Sequence, residues 1–431
     1  MRALTWHGPR SVHVDTVADP TIEDTTDAII RVTASGLCGS DLHLYEHGLA
    51  LAVKPGDILG HEPMGVVEEV GKAVHHIRPG DRVVVPFNIS CGECFMCRRQ
   101  LFAQCETTQN LGGRKGASLF GYTHLYGGVP GAQAEYLRVP QAHFGPIRVP
   151  EGVPDEALAL LSDVLPTSWQ AVEYADVPRG GSLAVFGLGP IGQMSARIAL
   201  YRGAGRVLAV DPYPDRRAFA ARAGIETVDP GDGDPVEQIR AATAGRGADS
   251  VIDAVGMDSE GSVVDRVTQI LKTKPDRLHA LHQSLGAVRR GGTVSVSGVY
   301  AAWMPRFPLG DLFDRNVTLR WGQTHVRAWT DTLLDVLRDG DPLGAAELVS
   351  HQVPLRDAPD YYAAFAKKRP GVRKVLLRPH GHRGWTSGAR DADRAVSPNR
   401  SGPPPRPAPA RRPPTGETGP TRTPSGEEEP S

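Results

Sequence analysis

Long hydrophobic runs are missing from this 431-residue chain, and so is any excess of one charge sign. No apolar stretch approaches the roughly 18 residues that a membrane-spanning helix needs, so no membrane partner is expected. Residues 1–17 lack the apolar centre of a signal peptide, which makes the cytoplasm the expected compartment. The formal net charge is -1. Such a chain has no general attraction for nucleic acid or anionic lipid, and nucleic acid is not expected as a partner. Cysteine is scarce: there are five residues, four of them within fifteen positions. An odd and clustered set in a reducing compartment points to metal binding rather than disulfides.

What is present fits a globular protein of two domains. The chain is too long for one ordinary core, and its 40% hydrophobic and 23% charged residues are near the usual values. We find no internal repeat. From His380 onward the composition turns to Pro, Arg, Gly, Ser and Glu, as in SGPPPRPAPARRPPTGETGPTRTPSGEEEPS. That tail has too little apolar surface to offset its ordering entropy and is expected to be disordered, with polyproline docking through PPPRPAP as the functional alternative. Residues 1 to about 160 read as short strands and Gly/Pro turns, including AIIRVTASG, HEPMGVVEEVG and GDRVVVPF. Around Gly180 the pattern becomes strand, glycine turn, helix, strand (SLAVF, GLGPIG, QMSARIALYRG, RVLAVD), a βαβ unit of a doubly wound parallel sheet. Strands DSVIDAV, TVSVSGV and VTLRW follow. After Thr324 one helix, TDTLLDVLRDG, and one strand, VRKVLLRP, are expected.

Gly187, Gly189 and Gly192 form G-x-G-x-x-G between a predicted strand and a predicted helix, the context that a dinucleotide-binding turn requires. The first glycine permits the tight turn, the second admits a pyrophosphate and the third lets helix pack on strand. Asp211 ends the next strand, where a carboxylate accepts hydrogen bonds from the adenosine ribose and disfavours a 2′-phosphate. NAD is therefore the expected cofactor. Arg216 and Arg217 are the counter-argument, read more simply as solvated charges on a helix starting near Pro214. A ligand-free glycine turn with Asp211 as a cap is the bland alternative.

Cys91, Cys94, Cys97 and Cys105 are spaced C-x2-C-x2-C-x7-C. Four thiolates so placed close the shell of one structural zinc; an iron–sulfur cluster, free thiols and a nucleic-acid-binding zinc ribbon are the other readings. The fifth cysteine, Cys38 in GLCGSDLH, and His61 in GHEPMGVV offer two ligands of the three that a catalytic zinc needs. Alone, they would more often be packing residues.

The fragments GLCGSDLH, GHE, the cysteine lobe, GAQAEY, GLGPIG and Asp211, in that order, resemble the zinc-dependent medium-chain alcohol dehydrogenases over about residues 1 to 380. LSDVLPTSW, the AVGM stretch with its continuation to Gly291, and WGQTHV look like the formaldehyde-dehydrogenase-like branch. The resemblance implies an α/β fold. It comprises a β-rich GroES-like catalytic domain (1–164, completed by 325–379), a Rossmann domain with a doubly wound parallel sheet (165–324) and the disordered tail (380–431). It implies two zinc ions per chain and Asp163 of SD-x-LPT as the third catalytic ligand, where many members use cysteine or glutamate. It also implies Asp41 and Glu62 as supports of the ligands, Ser40 and His43 as a proton relay, and Phe87 as a substrate-pocket wall. Thr167, Val299 and Thr324 would touch the nicotinamide, Pro190 and Ile191 the phosphates within the glycine turn, and Arg373 the pyrophosphate. A dimer or tetramer is implied as well.

The chemistry so implied is hydride transfer between a small alcohol, or a hydrated aldehyde, and NAD. Zinc acidifies the substrate hydroxyl, and a histidine titrating near neutrality exchanges the proton with solvent. A second reading is a glutathione-independent formaldehyde dehydrogenase or aldehyde dismutase that retains its NAD, since residues 257–290 form a long excursion beside the adenine side. A third, of another class, is a non-catalytic NAD-binding protein.

Overall fold

The computed structural model describes residues 1–48, 52–256, 278–300 and 307–381. The expected tail from 382 onward and the 257–277 part of the excursion lie outside the described residues. No helix among the described residues is long and apolar enough to cross a membrane.

The first half is built of strands, as its short apolar segments between Gly and Pro turns predict. β1 (Arg2–Gly8) and β2 (Ser11–Thr16) form a hairpin, followed by β3 (Ala28–Leu37), β4 (Glu62–Val70), β5 (Arg82–Val84), β6 (Tyr136–Val139) and β7 (Ile147–Arg148). The second half places β8 (Ser182–Phe186), β9 (Arg206–Val210), β10 (Glu226–Val228), β11 (Ala248–Asp253), β12 (Val288–Val296) and β13 (Thr318–Trp321) in one six-stranded sheet. Its order is β10-β9-β8-β11-β12-β13 and every pairing is parallel. This is the doubly wound order, and the direction of winding reverses between β8 and β11. Loops that follow those two strands diverge and leave a crevice where such sheets bind ligands.

Beyond residue 324 the chain holds more than its pattern predicts. The helix Val326–Arg338 and the strand β15 (Lys374–Arg378) are joined by β14 (Val349–Pro354) and the helix Ala358–Ala366. β14 escapes notice because only Val353 within it is buried, so its two faces hardly differ. The helix opens with Pro359, which reads as a breaker although the first turn tolerates it. These elements carry the chain back to the first half. β15 pairs with β3 and completes a seven-stranded sheet of order β14-β15-β3-β4-β5-β7, with β6 also on β3.

Both sheets belong to one compact unit. A single buried cluster joins them: Ala34, Met64 and Val84 from the first sheet, Leu183 and Val185 from the second, and Val164, Leu165, Met194 and Ile198 from helices between. The helix Val164–Ala175 starts at the crevice and runs through this shared core, so its first residue is held rigidly from both sides.

The glycine turn shows why three glycines are needed. Gly187 has φ +89°, a conformation that other residues adopt only with strain. A Cβ on Gly192 would lie 1.8 Å from the Gly187 carbonyl oxygen, whereas one on Gly189 would meet nothing within 4 Å. We therefore expect Gly192→Ala to lower the melting temperature, at a cost of at least the roughly 1–3 kcal/mol of an overpacked site. Gly189→Ala should melt like the parent protein. Calorimetry of the two variants checks the difference, and equal melting temperatures would contradict the packing argument.

Candidate active site and metal centres

Three distant segments deliver the ligand cluster. Cys38 follows β3 and starts the helix Gly39–His47; His61 precedes β4; Asp163 stands at the start of the helix Val164–Ala175. The ligand atoms of Cys38, His61, Glu62 and Asp163 all lie within 4.8 Å of one another. Cys38 Sγ is 3.6 Å from Asp163 Oδ2, and His61 Nε2 is 3.5 Å from the same oxygen. Sulfur and oxygen bound to one tetrahedral zinc, at ~2.3 and ~2.0 Å, stand about 3.5 Å apart, so the spacing fits the ion.

The two carboxylates differ in their commitments. Glu62 is ion-paired with Lys374, both side chains fully buried, and Lys374 Nζ also donates to the Leu37 carbonyl at 3.1 Å. Gly36 leaves room for this pair, since a Cβ there would lie 1.9 Å from Glu62 Oε2. The Asp163 side chain caps no backbone N–H of its helix. Its Oδ1 accepts from Thr167 Oγ1 at 2.6 Å, which leaves Oδ2 facing Cys38 and His61.

His61 is fixed by a relay of hydrogen-bonding groups. Its Nδ1 lies 3.1 Å from Asp41 Oδ1, while Asp41 Oδ2 accepts from the Cys38 N–H at 3.0 Å and from Gln133 Nε2 at 3.2 Å. The Tyr362 hydroxyl donates to Gln133 Oε1 at 2.7 Å. With Nδ1 held by a carboxylate, Nε2 is the nitrogen presented to the cluster, the arrangement that metal-ligating histidines adopt.

Electrostatics favour a cation here. Among the described residues three carboxylates, Asp41, Glu62 and Asp163, meet here one ammonium, that of Lys374, and the His61 ring. Burial disfavours charge on His61, yet the Asp41 carboxylate and the contact with Asp163 hold its pKa well above the ordinary value. Burial and the Asp163 charge push the Cys38 thiol up, so that it becomes a thiolate when a cation arrives. For Asp163, burial raises the carboxyl, but the hydrogen bonds from His61 and Thr167 and the nearby His61 and Lys374 charges together leave it below its usual value.

A second set lies in the lobe. The sulfurs of Cys91, Cys94, Cys97 and Cys105 fall within 4.8 Å of one another, with 4.0 Å between Cys91 and Cys97 and 3.9 Å between Cys94 and Cys105. Four sulfurs on a tetrahedral zinc are about 3.8 Å apart. Backbone N–H groups of Cys94, Cys97 and Glu106 point at the sulfurs from 3.4–3.5 Å, as suits thiolates.

The cleft beside the cluster measures about 1050 Å³ and runs on to the glycine turn. Its lining includes Ser40, His43, Phe87, Thr167, Gly187, Gly189, Pro190, Ile191, Asp211, Val299 and Thr324. Ser40 Oγ is 3.4 Å from Cys38 Sγ and 3.3 Å from His61 Nε2. The Phe87 ring meets His61 edge-on at 6.1 Å. Asp211, at the end of β9, accepts from Leu188 N at 2.7 Å and from Tyr213 N at 2.8 Å, which ties it to the turn.

Three positions differ from the sequence reading. Arg373 is not in the cleft lining; its guanidinium stacks over Phe219 at 4.2 Å, and the next residue of the strand, Lys374, faces the cleft instead. Arg216 and Arg217 are not merely solvated: Arg217 pairs with Asp229, and Arg216 lines the cleft 3.6 Å from Asp211 Oδ2. The sequence reading passed over Lys374, Gln133, Tyr122 and Tyr126. A lysine inside the apolar run VRKVLL was the available signal, because a buried ammonium demands a carboxylate.

Residues 24–151 match the alcohol dehydrogenase GroES-like domain, and residues 190–274 match the zinc-binding dehydrogenase family. A zinc-type alcohol dehydrogenase-like protein of Bacillus subtilis is 41% identical, the match covering 88% of this chain and all of the relative. The glutathione-independent formaldehyde dehydrogenase of Pseudomonas aeruginosa is 31% identical over 88% of this chain and 98% of its own. The solved alcohol dehydrogenase TADH of Thermus sp. ATN1 superposes with a TM-score of 0.75 at 35% identity, covering 88% of this chain and 99% of that one. The fold and the two cysteine-containing clusters thus define a two-domain dehydrogenase of GroES-like and Rossmann parts. The chain belongs to the zinc-type medium-chain alcohol dehydrogenase family, with similarity to its formaldehyde-dehydrogenase-like branch.

The buried Glu62–Lys374 pair yields a test. Lys374→Met strands the Glu62 charge in the interior and should destabilise the protein by about 3–5 kcal/mol. Adding Glu62→Gln should restore part of that loss in urea unfolding. If the double variant is as unstable as the single one, the pair is not what holds these strands.

Proposed function

We propose that this protein is an NAD-linked dehydrogenase of alcohols and aldehydes, working with one zinc at Cys38, His61 and Asp163 and another in the four-cysteine lobe. The observation that carries the reading is the free Oδ2 of Asp163 facing Cys38 and His61, while Glu62 is committed to Lys374. Asp163 is on that basis the third ligand. The carboxylate replaces the second cysteine that alcohol dehydrogenases with a Cys2His zinc carry.

Zinc at this site supplies a Lewis acid for the substrate oxygen, and NAD supplies the hydride acceptor. The chain's own residues do the rest. Ser40 Oγ, beside the cluster, accepts the proton of the substrate hydroxyl while releasing its own toward His43 at the cleft wall, which passes a proton to solvent. Phe87 and Tyr122 flank His61 with apolar rings and keep water from the reacting carbon. Thr167 holds Asp163 in place through its hydroxyl. Thr324, whose carbonyl accepts from Asn88, and Val299 frame the nicotinamide end of the cleft.

NAD is preferred over NADP in this reading because Asp211 stands where a 2′-phosphate would lie, although Arg216 softens the repulsion. Domain limits at 164/165 and 324/325 follow the change from the mixed sheet to the parallel one. A homodimer through the β13 edge is our reading of the assembly, supported by an end strand without a second partner among the described residues and by exposed Leu309, Phe313 and Trp321. The similarity to a formaldehyde dehydrogenase favours a second reading, with NAD retained between turnovers. Nucleotide that stays with the protein through exhaustive dialysis and appears on denaturation would select it.

Purified protein should contain about two zinc per chain and reduce NAD with a panel of alcohols or aldehydes. Asp163→Ala should lose one zinc and all turnover, and keep the lobe zinc. Retention of both ions with near-normal turnover would remove Asp163 from the ligand set. Asp211→Gly should raise the KM for NAD by about tenfold or more, through loss of charge-assisted hydrogen bonds, and narrow the preference over NADP. Equal use of both cofactors by the parent enzyme would contradict the assignment of Asp211.

A further inference from the structure

An aromatic wall leads away from the ligand cluster and ends on a lysine. The Tyr122 ring meets His61 edge-on at 6.3 Å, Tyr126 meets Tyr122 at 5.9 Å, and the Lys115 ammonium lies 5.6 Å above the Tyr126 ring. Phe87 and Leu119 pack with the two tyrosines in a small apolar cluster separate from the main cores. All of these residues line the same cleft. Lys115 is half-buried, and no carboxylate pairs with it among the described residues. A surface lysine keeps its ammonium in water at little cost; one held over an aromatic ring inside a cleft has given up part of that hydration.

We propose that Lys115 forms an anion subsite at the far end of the substrate pocket, and that the preferred substrates are alcohols or aldehydes carrying a carboxylate at the other end of an apolar body. The inference rests on the dehydrogenase reading and narrows its substrate class. The reacting oxygen sits at Cys38, His61 and Asp163; the apolar body lies along Phe87, Tyr122 and Tyr126; the anion meets Lys115. One ammonium balances one negative charge, so a carboxylate fits better than a phosphate dianion. The subsite would also disfavour very small aldehydes, which cannot span the wall.

The holoenzyme is assayed with ω-hydroxydecanoate, its methyl ester and ω-hydroxydecyl phosphate. The acid should show a KM about tenfold below that of the ester, with similar kcat. Lys115→Met should erase that difference by raising the KM for the acid alone, and Lys115→Arg should retain it. Equal KM values for acid and ester in the parent enzyme, or a lysine variant that weakens both alike, would overturn the subsite and leave the dehydrogenase reading intact. A lower KM for the phosphate than for the acid would overturn the carboxylate assignment. Turnover of no member of the panel would count against the dehydrogenase reading itself. Titration of tyrosine and tryptophan fluorescence with decanoate then decides separately: binding that Lys115→Met abolishes supports the subsite, and binding that it leaves unchanged overturns it.

Discussion

A buried ion pair holds the site together. Glu62 starts β4, Lys374 starts β15, and Lys374 also grips the last carbonyl of β3, so one ammonium joins three strands where they converge. Cys38 follows the Leu37 whose carbonyl is gripped, and His61 precedes the paired glutamate. Two of the three ligand positions are thus set by a contact with a residue more than three hundred positions later. An ion pair in the interior adds little net stability over apolar packing, yet breaking it is costly, so its use here is to fix geometry.

The third ligand position comes from the other direction. Asp163 begins a helix whose buried face belongs to the core shared by both sheets; its Oδ1 is held by Thr167 and, with no capping bond to make, its Oδ2 faces Cys38 and His61. Carboxylates outnumber ammonium groups around the cluster, and burial prevents water from screening them. A divalent cation restores the balance. The same cleft continues to the crevice between β8 and β11, where the glycine turn opens at Gly189 and Asp211 is tied to the turn by the Leu188 N–H. Metal cluster and dinucleotide turn therefore share one cavity, which is what hydride transfer between a substrate and a nicotinamide requires.

Much of this was legible in the sequence, for physical reasons that can be named. G-x-G-x-x-G has one structural solution in a strand-turn-helix context, and four cysteines in fifteen positions have few uses besides metal; the glycines do form that turn and the four sulfurs do gather. Apolar segments bounded by Gly and Pro turns marked β3 and β4, most of whose residues are buried. In β14 only Val353 is buried, and the helix Ala358–Ala366 opens with Pro359, so both were missed. Lys374 shows the limit of reading by local pattern, because its partner Glu62 lies more than three hundred positions away. Tyr122, Tyr126 and Lys115 come together only through the folding of the lobe against the cleft.

The central claim is that Asp163, and not Glu62, completes the catalytic metal site. Diffraction from crystals of the purified protein at energies just above and below the zinc absorption edge tests it most directly. The account predicts an anomalous peak bonded to Cys38 Sγ, His61 Nε2 and Asp163 Oδ2 at about 2.0–2.3 Å, with Glu62 still on Lys374, beside a second peak among the four lobe sulfurs. A peak bonded to Glu62 with Asp163 turned away, or no peak outside the lobe, would contradict it.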